Sequence, residues 1–193
     1  MVSKDLDEDL ESNISVKSVK VDRSMSVRFV VDGMLGSLAR KLRIYGFDVI
    51  YNAHYDDETL LKQAECDRRV ILTSDRGLFQ AALKKGLNAL LLTDDNDEDR
   101  MVSIILKLGW DGKDLTPTPS RCPLCNGPLS KVLKDEILED LPRGVTLRYS
   151  EFYRCGSCGK LYWEGSHWRK IKIFSEHVEQ KVRRMKGKDL DSR

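Results

Sequence analysis

From residue 27 the apolar positions follow two alternating periods. Val27–Val31 (VRFVV) is a short apolar run. Met34, Leu35, Leu38, Ala39 and Leu42 then fall at helical spacing, and Gly46 supplies a stop. Asp48–Tyr51 (DVIY) predicts a second strand, and Thr59–Cys66 a helix carrying Leu60, Leu61 and Ala64. Val70–Thr73 is the third predicted strand, and Leu78–Lys85 a helix closed by Gly86. Asn88–Leu92 and Asp99–Leu108, the latter ended by Gly109, complete a fourth strand–helix pair. This alternation predicts an α/β fold, with a parallel sheet, right-handed crossovers and helices on both faces. Strands three and four are almost wholly apolar, as expected where a sheet is covered on both sides.

The pattern is bounded on each side. Residues 1–24 are polar without clear periodicity, which predicts a disordered N-terminal tail ahead of a domain over 25–113. Two prolines in KDLTPTP mark a linker at 114–119. Beyond it the alternation stops and a cysteine-bearing module runs over 120–170, followed by a basic C-terminal tail over 171–193, either helical or frayed. Cys66, inside the second predicted helix, reads as a small core residue.

Composition adds little until it is divided. With 40% hydrophobic and 33% charged residues, the 193-residue chain has the balance of a soluble globular protein. No apolar run approaches a membrane span. The opening MVSKDLDEDLESN has no apolar core of a secretory signal, so an intracellular, cytoplasmic protein is expected. The net charge of +2 hides an asymmetry: residues 1–113 hold 17 basic and 20 acidic residues, and residues 114–193 hold 16 and 11. An acidic front and a basic back suit two modules, the second facing a polyanion, although ordinary surface charge has the same signature.

Acids follow every predicted strand. Asp32 follows the first, Asp56, Asp57 and Glu58 the second, Asp75 the third, and Asp94, Asp95 and Asp97 the fourth. In a parallel sheet these positions share one edge, where open α/β sheets bind ligands. Each acid alone can be a helix cap, and Asp97, Glu98 and Asp99 read as helix-start acids. Gathered together they repel, by roughly 4 kcal/mol for a pair about 4 Å apart at an effective dielectric near 20. A hard cation such as Mg²⁺ or Mn²⁺ would relieve that repulsion and support phosphodiester chemistry.

Cys122-Pro-Leu-Cys125 and Cys155-Gly-Ser-Cys158 are two C-x-x-C pairs separated by 29 residues. Two such knuckles complete a tetrahedral thiolate site, which predicts a structural zinc ion. Disulfides are the rival reading, disfavoured in a reducing compartment. Basic residues and the aromatics Tyr149, Tyr153, Tyr162, Trp163 and Trp168 interleave around the knuckles. They suit either phosphate contact and base stacking or the packing of a small module.

The segments RFVVDGMLGSLARKLRIYGFDV and DDETLLKQAECDRRVILTSDRGL, the paired cysteines and YWEGSHW resemble PIN-like ribonucleases. They more closely resemble the mutator-seven C-terminal RNase family, which joins a PIN-like domain to a C-terminal zinc ribbon. The resemblance runs from about residue 27 to 170. It implies a PIN-like parallel sheet over 25–113, and RNA cleavage with Mg²⁺ or Mn²⁺ held by Asp32, Asp57 and Asp75. A fourth acid would be Asp95, with Asp94 an equal fit, and Asp56 and Glu58 lie close enough to Asp57 for a shift of one. Arg40, Lys41 and Arg76 are candidates for phosphate contact, or else solvated surface. His167 in GSHW resembles a family motif and would either touch RNA or lock a turn; with Trp168, Arg169 and Lys170 it is a candidate RNA contact. The expected function is a metal-dependent ribonuclease whose zinc ribbon helps bind RNA, with no membrane partner. The alternative is a non-catalytic RNA- or protein-binding adaptor whose acids only cap helices. Oligomeric state is not readable from the sequence.

Overall fold

Phe29, Val30 and Val31 of strand β1 (Arg28–Val31) are all fully buried, so this strand has no solvent face. It lies inside a four-stranded sheet of order β2-β1-β3-β4, with β2 at Asp48–Tyr51, β3 at Val70–Thr73 and β4 at Ala89–Leu91. All pairings are parallel, and β1 is in register Phe29↔Val49 and Phe29↔Val70. The computed structural model describes residues 27–110, 115, 117 and 121–191. The N-terminal tail expected over 1–24, and most of the linker expected over 114–119, lie outside them.

Alternate side chains of each strand feed two cores. Phe29, Val31, Val49, Leu72 and Leu90 pack with helices α1 (Gly36–Ile44) and α4 (Asp97–Lys107). Val30, Ile71 and Ala89 pack with α2 (Asp57–Asp67) and α3 (Arg76–Lys84). The period-2 alternation of a strand thus covers both faces of the sheet. Predicted elements and observed ones agree to within two residues at each end, and the second and third strands agree residue for residue. Gly46, Gly86 and Gly109 all adopt positive φ where helices end, which a side chain would resist.

The second module is a three-stranded antiparallel sheet, β5 (Leu129–Val132), β6 (Phe152–Cys155) and β7 (Leu161–Trp163). A 3₁₀ turn at Lys134–Ile137 and helix α5 (Arg143–Arg148) fill the long segment between the cysteine pairs, anchored by buried Ile137 and Phe152. The chain is therefore an α/β protein with a parallel sheet flanked by helices and a ribbon-like cysteine module behind it.

One boundary moves and one expectation is corrected. The basic tail placed at 171–193 is part of one 26-residue helix, α6, from Ser166 to Asp191. It returns to the first module, burying Val178 and Val182 in the same core as Phe29 and stacking Phe174 on Tyr45 at 6.3 Å. Tyr45 Oη also lies 2.9 Å from Ser175 Oγ, and Lys181 Nζ is 2.7 Å from Asp99 and 3.2 Å from Glu98. Cys66 is exposed, not core. The buried face of α2 is Leu60, Leu61 and Ala64, and Cys66 lies two residues past Ala64, on the opposite side.

Candidate active site and metal centre

The chain reverses its direction of winding between β1 and β3: the connection from β1 runs outward to β2, and that from β3 runs the other way to β4. Such a switch opens a crevice at the carboxyl ends of the two strands. Asp32 follows β1 and Asp75 follows two residues after β3, one on each side of it.

Local structure fixes both acids. Asp32 starts a 3₁₀ turn, its Oδ1 3.4 Å from Met34 N, while its own N–H donates to Leu72 O at 3.0 Å. Asp75 caps α3, Oδ1 accepting from the N–H groups of Gly77 and Leu78. Between them stands Thr73, fully buried at the end of β3. Its hydroxyl donates to Asp32 Oδ2 at 2.8 Å and accepts the N–H of Asp75 at 2.9 Å. Two glycines let the turn close: a Cβ on Gly33 would press on Ala53 O, and one on Gly36 would strike the Tyr51 phenol.

The second strand's acids divide. Asp56 is the N-cap of α2, accepting from Thr59 N at 2.9 Å, and this bond holds its carboxyl below the ordinary value. Asp57, the next residue, is shifted the other way. Partial desolvation, then the charges of Asp75 and Asp32, raise its carboxyl. The charges of Asp75 and Asp32 thus reach Asp57 from two other loops, although among the described residues only the cysteines converge closely enough to form a ready metal site.

The remaining candidates are dispersed. Asp95 is exposed in the loop before α4, and Asp94 accepts from Ser103 Oγ at 2.9 Å. Asp97, read as a helix-start acid, also reaches α1. Lys41 Nζ lies 2.5 Å from it and 2.9 Å from Ser37 Oγ, with the Phe174 ring 5.5 Å away. Lys41 is thus held in an ion pair, whereas Arg40 and Arg76 are exposed. His167, Arg169 and Lys170 are exposed on the first turn of α6, with Trp168 half-buried among them.

The cysteines converge. The sulfur atoms of Cys122, Cys125, Cys155 and Cys158 all lie within 4.8 Å of one another. Cys122 and Cys158 are 3.7 Å apart, and Cys125 and Cys155 3.4 Å. A tetrahedral ion with metal–sulfur bonds of about 2.3 Å needs sulfurs about 3.8 Å apart, so the four thiols fit a metal ion. Each knuckle ends on a left-handed residue, Asn126 and Gly159. Tyr162 Oη lies 3.0 Å from Cys122 Sγ. Burial opposes ionisation of Cys122, but that phenol and the knuckle N–H groups outweigh it and bring the thiol to about 7. For Cys125 the Gly127 N–H favours the thiolate, yet burial and the three neighbouring thiols prevail and push it up to about 12. Metal-free, the thiols cannot all ionise together.

The first knuckle is docked on the edge of the parallel sheet. Arg43, 3% exposed, donates to Val49 O at 2.9 and 3.0 Å and to Pro123 O and Leu124 O at 3.0 and 2.8 Å. Asn126 accepts from Val49 N at 3.1 Å and donates to Asp48 at 2.8 Å. These side chains satisfy the open edge of β2 and join the modules. Thr73, Arg43 and Asn126 were not singled out as site residues from sequence, and Tyr162 only as one of the aromatics around the knuckles. Only Thr73 carried a local signal, a hydroxyl ending an apolar strand just ahead of an acid.

A family model described as Mut7-C RNAse domain matches residues 27–174. No curated protein and no solved structure matches the chain. The matched span takes in the acid-bearing sheet edge, both cysteine knuckles and the first turns of α6. The chain belongs to the Mut7-C RNase domain family.

Proposed function

We propose that the protein is a metal-dependent ribonuclease that hydrolyses RNA phosphodiesters at the crevice between β1 and β3. The observation that carries this reading is the placement of Asp32 and Asp75 on the two sides of a topological switch point, tied together through Thr73, within a domain of an RNase family. Three carboxylates offer hard oxygen donors, which suit Mg²⁺ or Mn²⁺. When bound, such an ion would activate water and offset the charge that develops on the phosphodiester. Asp32, Asp57 and Asp75 would hold it. Thr73 fixes one oxygen of Asp32, and the cap bonds occupy Oδ1 of Asp75, so Oδ2 of Asp75 is the atom we assign to the ion. Arg40 and Arg76 would meet RNA phosphates at the rim, and Asp95 is the candidate fourth acid. The four cysteines would hold structural zinc, with no position left open for chemistry. His167, Trp168, Arg169 and Lys170 would extend the RNA contact across α6.

A cleavage assay on labelled RNA and DNA with Mn²⁺, controlled by EDTA and Asp32→Asn, tests this. Metal-dependent cutting of RNA that Asp32→Asn abolishes, with RNA binding kept, is the expected result. Cutting that survives in Asp32→Asn or in EDTA overturns it.

One observation favours a second reading, a non-catalytic RNA- or protein-binding adaptor: Asp32 and Asp75 both make cap bonds that need no ion. Millimolar Mn²⁺ separates the two. It should raise the thermal stability of the wild type and not that of Asp32→Asn if the acids hold metal, and should leave both unchanged if they only cap.

A further inference from the structure

Met34 is out of place. The turn that carries it buries Leu35, and the following helix buries Leu38, Ala39 and Leu42, yet Met34 is 77% exposed. Among the described residues only Leu147 is a more exposed large apolar side chain. Its position is fixed at both ends. Its backbone N–H is directed at Asp32 Oδ1, and Ser74 Oγ lies 3.9 Å from its sulfur. The residue therefore links the loop after β1, through its backbone, to the loop after β3, through its sulfur, beside the two acids of the switch point. At 77% exposure little of this apolar side chain is covered by its own chain. A flat, polarizable surface arriving from outside would cover it: methionine sulfur and methyl groups pack well on aromatic faces. Methionine is also among the side chains that wedge between stacked bases.

We propose that Met34 is a substrate-contacting residue that packs on the face of one nucleobase next to the cleaved phosphate, and so selects RNA whose bases are unstacked at that point. This rests on the ribonuclease reading above. The chain's own chemistry supports a base over other aromatic groups, because Arg76 is exposed at the start of α3, directly after Asp75, and suits a phosphate next to that base. A paired duplex presents no free base face here, so single strands and loops are the favoured substrates.

The test pairs Met34→Ala and Met34→Leu with a set of single-stranded RNAs in which one nucleotide at a time around the cut is abasic. Loss of one stacked base is expected to raise KM about tenfold in the wild type, at a single position. Met34→Ala should raise KM by about the same factor on intact RNA, with kcat little changed, and should be insensitive to the abasic nucleotide at that position. Met34→Leu should keep most of the affinity. Unfolding of Met34→Ala should match the wild type, since the side chain is exposed. If the losses from Met34→Ala and from each abasic position multiply independently, or if KM is unchanged in Met34→Ala, the proposal fails. If the wild type cuts no RNA, the ribonuclease reading fails instead. The base contact is then judged by binding of the same abasic set to Asp32→Asn and to Asp32→Asn with Met34→Ala, with the same two criteria.

Discussion

The Thr73 hydroxyl lies 2.8 Å from Asp32 Oδ2, a bond from the end of one central strand to the acid that follows its neighbour. The same oxygen accepts the Asp75 N–H, so one buried atom sets the spacing of the two acids across the crevice. Thr73→Val keeps the shape but leaves that N–H without an acceptor, and should cost about 1–3 kcal/mol of stability. Cleavage should fall about 10–100-fold, because small misplacements of reacting groups are expensive. Thr73→Ser should recover most of both. Denaturant unfolding and kcat read the two effects. A valine variant that is stable and cuts at the wild-type rate would remove Thr73 from the site.

Asp57 gives a prediction with a definite sign. Its carboxyl is raised in the folded protein, so the ionised form is less favourable there than in the unfolded chain. The penalty is absent at low pH, grows as pH rises through the carboxylate range and is fully present at pH 7. In metal-free protein, Asp57→Asn should therefore raise stability at pH 7 by about 0.2–1 kcal/mol, the scale of exposed charge pairs. At pH 3 it should change nothing. Mn²⁺ should stabilise the wild type and not the variant. Thermal unfolding at the two pH values, with and without the ion, checks all three.

Arg43 holds the modules together through four bonds to three carbonyls. Lysine cannot reproduce a planar fork, so Arg43→Lys leaves at least one buried carbonyl unpaired. We expect a loss of about 2–4 kcal/mol. Metal content at the cysteines should be unchanged, since no ligand is touched. Equilibrium unfolding, metal analysis and protease resistance of the ribbon separate docking from metal loading.

Tyr162 is tested at the metal. Its phenol supports the Cys122 thiolate, and Tyr162→Phe should weaken metal affinity about 10–100-fold, as loss of such outer partners does. Metal binding displaces thiol protons, so affinity must fall as pH falls. With Cys122 near 7 in the metal-free protein, the fall should steepen below neutrality. Chelator competition between pH 6 and 8 reads both. Affinity independent of pH would argue against thiolate ligation.

The first module was legible because its periods are clean: short apolar strands and helices closed by Gly46, Gly86 and Gly109 announce themselves. Alternation implied parallel pairing, but it does not encode the order β2-β1-β3-β4, which depends on how far each crossover travels. Asp32 and Asp75 followed from strand ends. Asp57 was chosen on the resemblance with Asp56 left open, because both stand where a cap is wanted, and the hydrogen bonds show that Asp56 is the one that caps. The return of α6 was obscured by charge. Phe174, Val178 and Val182 recur every four residues, an apolar stripe separated by polar and charged residues of both signs, Glu176, His177, Glu179 and Lys181. Arg43 was invisible for a related reason: a cation in a basic helix reads as surface until a second module covers it.

The path of α6 also bears on how the protein is made. Val178 and Val182 are core residues of the first module, yet they follow the whole ribbon in the chain. On the ribosome, the sheet would emerge with that part of its core still unsynthesised, and the cysteine knuckles would be complete before the sheet they lean on could close. The nascent parallel sheet would wait with Tyr45 and the flank of α4 uncovered, in need of shelter until the last helix arrives. A metal ion captured early by the ribbon would hold the chain beside its docking edge during that wait.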